Sequence, residues 1–217
     1  MTDLFDQGLA FIWRPENDGQ PLHSSPKDPG GTTSWGVTFQ TWAGWRGLHG
    51  QAKSMAIFQT LGKADFSPLY RALFWNSCRC GNLSVIGVAV FDAAVMSGPG
   101  NAAKFLQQAL GVEVDGAIGP VTTQAAVNMD PTWLNDLFLA ERNAFYQANP
   151  NFDTFGHGWM RRAFDCHGFV AGLIGAPAKV PHAADTAPPP HEIAAQLVET
   201  PSTDDLNANE LNRIKGA

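Results

Sequence analysis

The chain has 217 residues, which is enough for one helical domain of ordinary size with an appendage. Hydrophobic residues make up 44% of the sequence and aromatic residues 11%, so most of the chain is globular rather than disordered. The formal net charge is −6, and the segment from His182 onward contributes −4 of it. The body is thus nearly neutral, and we expect no nucleic acid partner because a phosphate backbone is bound by a basic surface.

The three cysteines, Cys78, Cys80 and Cys166, cannot all pair within one chain, so we expect a fold that does not depend on disulfides. No positive segment precedes the short apolar stretch at the N-terminus, and no window reaches the roughly 18 apolar residues of a membrane span. These features predict a soluble chain, made in the cytoplasm without a signal peptide.

The first predicted element is a helix, capped by Thr2 or Asp3 and ended by Pro15. Its apolar residues recur at helical spacing: Leu4, Phe5, Leu9, Ile12 and Trp13. Glu16 therefore emerges at a helix terminus. Residues 17–36 are dense in Pro, Gly, Ser, Asn and Asp, which predicts turns around a small hairpin that ends in Trp35 to Phe39.

The rest of the body reads as helices. They are predicted at 66–75, 83–95, 101–110, from Gly119-Pro120 onward, 131–148 and 157–172. After Pro181 the composition changes to Ala, Pro, Thr and acids, which predicts a flexible tail over 182–217, with a short helix at 205–215.

Several separated motifs stand in order along the chain. They are Phe5-x-x-x-Leu9 leading to Glu16, Asp28-Pro29-Gly30-Gly31-x-Thr33-x-x-Gly36-Val37-Thr38, Leu69-Tyr70-x-x-x-Phe74-Trp75, Phe91-Asp92-x-Ala94-Val95-x-x-Gly98-Pro99, Leu106-Gln107-x-x-Leu110-Gly111, Asp115-Gly116-x-x-Gly119-Pro120-x-Thr122 and Gly158-Trp159-x-x-Arg162. Over about residues 4–172, this set resembles the phage-type peptidoglycan muramidases of glycoside hydrolase family 108, including their carboxy-terminal peptidoglycan-binding region.

The resemblance implies a mainly α, lysozyme-like fold with a small β-hairpin near the active site. It divides the chain into a catalytic region (1–96), a helical peptidoglycan-binding region packed on it (97–175) and the Pro/Ala-rich acidic tail (182–217). The implied activity is an endolysin's hydrolysis of the β-1,4 bond between N-acetylmuramic acid and N-acetylglucosamine. The family's catalytic glutamate, usually followed by two glycines and a tyrosine, maps onto Glu16, which is followed here by Asn17-Asp18-Gly19-Gln20.

The chemistry of such a cleavage needs a proton donor and a negative charge near a developing oxocarbenium ion. Glu16 donates the proton only if neighbours such as Trp35 or Trp75 desolvate it and raise its pKa toward about 6–7. Asp28, in a solvated turn, is the predicted second carboxylate, with Asp18 as a rival. Like the second acid of phage-type lysozymes, Asp28 stands eight residues before a hairpin glycine, Gly36.

The remaining predicted site residues surround these carboxyl groups. Ser34 and Thr33 are expected to hold a catalytic water, and the predicted substrate contacts are Trp35, Thr38, Trp75 and Asp18. We expect no metal and no cofactor, because the Cys78-Arg79-Cys80 pair lacks the usual ligand gap of zinc sites. Asp92, in an otherwise apolar helix, is expected to bond backbone amides near Gly98 to Gly100.

Two other readings of the sequence stay open. The altered loop after Glu16 could mark a non-catalytic peptidoglycan-binding protein, and Cys166 with His167 could form the centre of an amidase or peptidase. The expected partner is bacterial peptidoglycan, reached in the periplasm or cell wall through a holin or a secretion partner. We expect a monomer with no membrane span.

Overall fold

The computed structural model describes residues 3–14, 32–47 and 51–175. The helices of this part, in chain order, are α1 Leu4–Ile12, α2 Phe39–Trp45, α3 Gln51–Thr60, α4 Lys63–Tyr70, α5 Ile86–Ser97, α6 Pro99–Leu110, α7 Pro120–Asn128, α8 Pro131–Gln147 and α9 Phe152–Ile174. The strands β1 Thr33–Ser34 and β2 Val37–Thr38 form an antiparallel hairpin. This confirms the predicted mainly α fold with a small hairpin. The predicted tail at 182–217 lies outside the described residues.

Helix α1 begins as predicted, because the Asp3 carboxylate accepts a hydrogen bond from the Phe5 amide at 3.2 Å. One face of the helix is buried, and Phe5 packs against the rings of Trp75 and Phe91 at centroid distances of 5.6 and 5.5 Å. On the outer side, Arg71 pairs with Asp3 at 2.8 Å and lies over the Phe5 ring. The start of α1 is therefore fixed to the segment that follows α4.

Helix α5 is the centre of the molecule. Every residue from Ile86 to Val95 is buried, as expected for a helix that is apolar on all sides. It packs against α1, α6, α8 and α9. The approach of the 3-10 turn at Cys80–Asn82 is close enough that a Cβ on Gly87 would lie 2.1 Å from the Cys80 carbonyl oxygen. A glycine is thus required at this contact.

Asp92 forms a buried charge cluster with two arginines from other helices. Its carboxylate, 0% exposed, lies 2.8 Å from Arg142 Nη1 on α8 and accepts hydrogen bonds from Arg162 Nε and Nη2 on α9 at 3.0 and 2.9 Å. This corrects the expectation that Asp92 bonds backbone amides near Gly98. Two guanidinium groups are the stronger partners for a fully buried carboxylate, because they neutralise its charge as well as bonding its oxygens.

The turn between α6 and α7 is organised by Gln107, which is buried on α6. Its amide nitrogen donates to Asp115 Oδ1 at 2.6 Å and to the Ala117 carbonyl at 3.1 Å, and its Oε1 accepts from the Gly116 amide at 2.9 Å. Gly116 has a φ of 75°, which glycine adopts without strain. The Asp115-Gly116 motif therefore forms a turn, and the Gln107 side chain of the preceding helix stabilises that turn.

Four predicted helices have limits that differ from the structure by two or more residues, among them α5, which runs over Ile86–Ser97 rather than 83–95. Helix α4 begins at Lys63 rather than 66 and continues as a π-helical turn over Arg71–Asn76. Helix α6 begins at Pro99 rather than 101, because proline is well accommodated in the first turn of a helix. Helix α9 runs over Phe152–Ile174 rather than 157–172. Within the described residues, no helix is both long and apolar enough to cross a membrane.

Candidate active site beside the hairpin

The hairpin turns through two residues, Trp35 and Gly36, since Ser34 pairs with Val37 and Thr33 with Thr38. Both turn residues have positive φ angles, 50° and 77°, the pattern of the tight turns that match the twist of paired strands. This conformation is natural for glycine but strained for tryptophan. The surrounding contacts must therefore hold Trp35 in place.

Those contacts come from α1 and α4. The Tyr70 hydroxyl donates a hydrogen bond to the Trp35 carbonyl oxygen at 2.8 Å, and the Trp13 ring meets the Tyr70 ring edge-on at 5.7 Å. The Lys63 ammonium lies 5.0 Å from the centre of the Trp13 ring and 5.5 Å from that of Trp35, within the range of cation–π attraction. We call Trp13, Trp35, Lys63 and Tyr70 the hairpin clamp.

The hairpin clamp joins the end of α1, the hairpin turn and α4. The sequence motifs included Tyr70, but nothing in its spacing indicated its contact with Trp35. Nothing in the sequence predicted that Lys63 contacts the hairpin turn. It stands at the start of α4, where an exposed lysine is ordinarily a solvated charge.

The threonines of the hairpin lie opposite each other, and both are half-buried. Thr38 also caps α2, because its hydroxyl accepts a hydrogen bond from the Thr41 amide at 3.1 Å. Ser34 is only 2% exposed, so its side chain is closed off from bulk solvent. Trp35 is half-buried beside the Lys63 ammonium.

Trp75 lies in the core and does not flank the hairpin. It is 5% exposed, and its ring packs against Phe5 and edge-on against Phe91 at 5.4 Å. The Trp75 ring therefore packs against two core aromatic side chains, and its role as a sugar contact stays a prediction. The predicted carboxyl groups Glu16, Asp18 and Asp28 lie outside the described residues.

The cysteine and histidine pair suggested as a thiol hydrolase centre is unsuited to that chemistry. Cys166 is 1% exposed, and burial raises the pKa of its thiol well above the usual range. A buried, neutral thiol is a poor nucleophile, because the thiolate is the reactive form. His167 Nε2 pairs instead with Asp136 Oδ1 at 2.6 Å. The described residues contain no group of three or more His, Cys, Asp or Glu placed to hold a metal.

Comparison with known proteins identifies the two parts of the chain. Residues 15–98 match the family described as Glycosyl hydrolase 108, and residues 101–164 match the one described as Predicted Peptidoglycan domain. The chain is also similar to the solved structure of SagA from Brucella abortus, with 29% identity and a TM-score of 0.69, over 78% of this chain and 95% of that one. Among curated proteins no match was found.

The mainly α, lysozyme-like fold and the two matched segments define a glycoside hydrolase that acts on peptidoglycan. The match to SagA spans both segments, since it covers most of each chain. One segment of the chain is thus similar to the glycosyl hydrolase 108 family and the next to a peptidoglycan domain, in agreement with the family resemblance predicted from the sequence motifs.

Proposed function

We propose that the protein is an N-acetylmuramidase. It cleaves the β-1,4 bond between N-acetylmuramic acid and N-acetylglucosamine, with Glu16 as general acid and Asp28 as the second carboxylate. The observation that carries this proposal is the hairpin clamp, because it joins the two chain segments from which these residues extend. The family match supplies the reaction class.

Chain connectivity relates the clamp to the carboxyl groups. Glu16 follows Trp13 by three residues, so their Cα atoms are at most about 11 Å apart. Asp28 precedes Thr33 by five residues, which limits their separation to about 18 Å. Since Tyr70 and Lys63 link Trp13 to the hairpin turn, these limits are compatible with both acids acting beside the hairpin.

The proposed division of labour follows from glycosidase chemistry. Glu16 gives its proton to the leaving glycosidic oxygen, and Asp28, ionised, activates a water or stabilises the oxocarbenium ion. The proposal requires Asp28 to be ionised, which exposure to solvent would favour, and Glu16 to be protonated, which an apolar environment would favour. Thr33 and Thr38 offer hydroxyl groups at the hairpin that can hold water or sugar hydroxyls.

Replacement of Glu16 by Gln tests the assignment. We expect wall clearing to fall by about 100- to 10,000-fold, because general acid catalysis contributes a factor of that size, while binding to purified sacculi persists. Comparison of Asp18→Asn with Asp28→Asn decides which aspartate is the second carboxylate. Clearing by Glu16→Gln at the wild-type rate would contradict the proposal.

Mass spectrometry of the digested sacculi tests the bond. New reducing-end muramic acid supports the muramidase, and 1,6-anhydro ends indicate a lytic transglycosylase instead. Free amino groups without new reducing ends indicate peptide-bond cleavage. Wild-type protein that binds sacculi without releasing any product would be the non-catalytic binding protein that the loop after Glu16 leaves open.

The endolysin role is a further proposal, supported by the resemblance to phage-type enzymes. Under it, the protein is a monomer made in the bacterial cytoplasm and reaches the periplasm or cell wall through a holin or a secretion partner.

A further inference from the structure

An unusually apolar surface lies in the segment matched by the peptidoglycan domain. Of the six large hydrophobic side chains that are exposed among the described residues, four fall between Val114 and Trp133. Val121 is 72% exposed, Val127 is 58% exposed and Trp133 is 50% exposed. Single exposed apolar residues are normal, but such a concentration in one short stretch indicates a binding surface.

The outer face of α7 carries most of this surface. With a rotation of about 100° per residue, Val121, Gln124, Val127 and Asn128 lie within an arc of about 120°. All four are exposed, whereas Thr122 and Ala126 on the opposite side are buried. Helix α7 packs against α8, whose first turn contains Trp133.

The surface is also almost free of charge. From Gly116 to Asn135 the only charged residue is Asp130, in a chain whose charged fraction is 16%. Asp130 is used internally, because its carboxylate accepts a hydrogen bond from the Trp133 amide at 2.9 Å and so caps α8. An acidic ligand therefore finds no positive counter-charge in this segment.

Two side-chain amides provide polar groups. Gln124 Nε2 donates to Asn128 Oδ1 at 3.1 Å, which orients both amides along the exposed face. The Gln124 carbonyl oxygen remains an acceptor, and the Asn128 amide nitrogen remains a donor. An acetamido group presents the complementary pair, one N–H donor and one carbonyl acceptor.

We propose that Val121, Gln124, Val127, Asn128 and Trp133 form a binding site for the glycan strand of peptidoglycan. Tryptophan and valine pack against the apolar faces of the N-acetylated amino sugars, and the two amides bond the acetamido groups. Helix α7 packs on α6 and α8 whereas the hairpin packs on α2, so under this proposal the strand is held on a surface that takes no part in cleavage. The inference rests on peptidoglycan as the substrate, and not on the role proposed for Glu16.

The test uses the full chain with Trp133→Ala, and Phe164→Ala as the matched control. Phe164 is an exposed aromatic residue on α9, outside the proposed face. Binding is measured by co-sedimentation with purified sacculi and by calorimetric titration with soluble N-acetylglucosamine oligosaccharides. Loss of one aromatic stacking contact should weaken binding by about two- to tenfold. Phe164→Ala should bind as the wild type does.

A second measurement monitors Trp133 directly. In protein labelled with 5-fluorotryptophan, the fluorine resonance that is absent from Trp133→Phe should shift when the oligosaccharide is added. Unchanged binding by Trp133→Ala, or a Trp133 resonance that does not respond, overturns the proposal. So does a variant that loses self-association in light scattering rather than glycan binding, because the face would then join copies of the chain.

The outcome is distinguishable from failure of the muramidase proposal. If Glu16→Gln clears walls normally while Trp133→Ala binds weakly, the catalytic assignment fails and the glycan site stands. If the wild type releases reducing-end muramic acid and Trp133→Ala binds sacculi normally, the muramidase proposal stands and the glycan site is wrong.

Discussion

Replacement of Asp92 by Asn is the sharpest test of how the molecule is held together. The substitution preserves side-chain volume and removes one negative charge. In the structure that charge is fully buried between Arg142 and Arg162, at distances of 2.8 and 2.9 Å. The variant removes the buried negative charge that Arg142 and Arg162 share, at the junction of α5, α8 and α9.

The expected cost is large. Breaking a buried ion pair by removing one partner costs about 3–5 kcal/mol, because the remaining charge stays desolvated. Two arginines depend on this one carboxylate, although Arg142 keeps its bond to the Tyr146 hydroxyl at 2.9 Å. We expect the free energy of unfolding to fall by about 3–5 kcal/mol, and the melting temperature by roughly 6–20 °C at 2–4 °C per kcal/mol.

Urea titration and calorimetry provide the assay, with Asp165→Asn on the exposed side of α9 as the control. A surface substitution of that kind should change stability by less than about 0.5 kcal/mol. A loss below about 1 kcal/mol for Asp92→Asn would refute the reasoning, because the carboxylate would then contribute little to holding the three helices together.

The pH dependence gives a second check on Asp92. Burial opposes its ionisation, but the guanidinium groups of Arg162 and Arg142 outweigh burial and lower the pKa of Asp92 below its usual value. A carboxyl group with a lowered pKa in the folded state stabilises the protein fully above its unfolded value of about 3.9. This contribution is lost as the pH falls through the folded pKa. The stability gap between wild type and Asp92→Asn should therefore be full at neutral pH and shrink in acid below about pH 4. A constant gap would be inconsistent with the ion pairs.

Two further predictions concern packing and the hairpin. Gly87→Ala should destabilise the protein by more than about 2 kcal/mol, because the new Cβ would lie 2.1 Å from the Cys80 carbonyl oxygen. Gly168→Ala on α9 is the control, since its Cβ would have nothing within 4 Å, and it should stabilise the protein by about 0.5–1 kcal/mol. Equal melting temperatures for the two variants would refute this prediction. Tyr70→Phe removes the hydrogen bond to the Trp35 carbonyl oxygen and should cost about 1–2 kcal/mol while slowing wall clearing more than it weakens sacculus binding. Clearing kinetics and melting that both match the wild type would show that this bond does not hold the hairpin.

Much of the fold could be predicted from local sequence features. The periodicity of α1 with its Asp3 cap, and the proline that opens α7, each depend on neighbours a few residues away. A small hairpin was predicted from the turn-rich run, but its two-residue turn at Trp35-Gly36 was not, because tryptophan rarely adopts a positive φ. Such predictions do not depend on which helices and strands contact each other in the folded protein.

The long-range contacts could not be predicted in this way. Asp92 finds its arginines 50 and 70 residues further along the chain, and no local pattern distinguishes such a partner from a nearby backbone amide. The contacts of Trp75 could not be predicted either, because the sequence pattern is the same for an aromatic residue in the core and for one at a sugar-binding site. The family motifs identified the enzyme class, whereas the roles of Glu16, Asp28 and Asp18 stay predictions.

The burial of α5 on all sides has a consequence for how this enzyme can be divided. The helix belongs to the segment matched as the hydrolase, yet it packs on α6 and α8 of the segment matched as the peptidoglycan domain. Severing the chain after Ser97 would open that interface to water and strand the Asp92 carboxylate. The segment matched as the peptidoglycan domain therefore supplies part of the hydrophobic core of the hydrolase segment. We expect neither segment to keep its fold when produced alone, so the two must be engineered together in the intact chain.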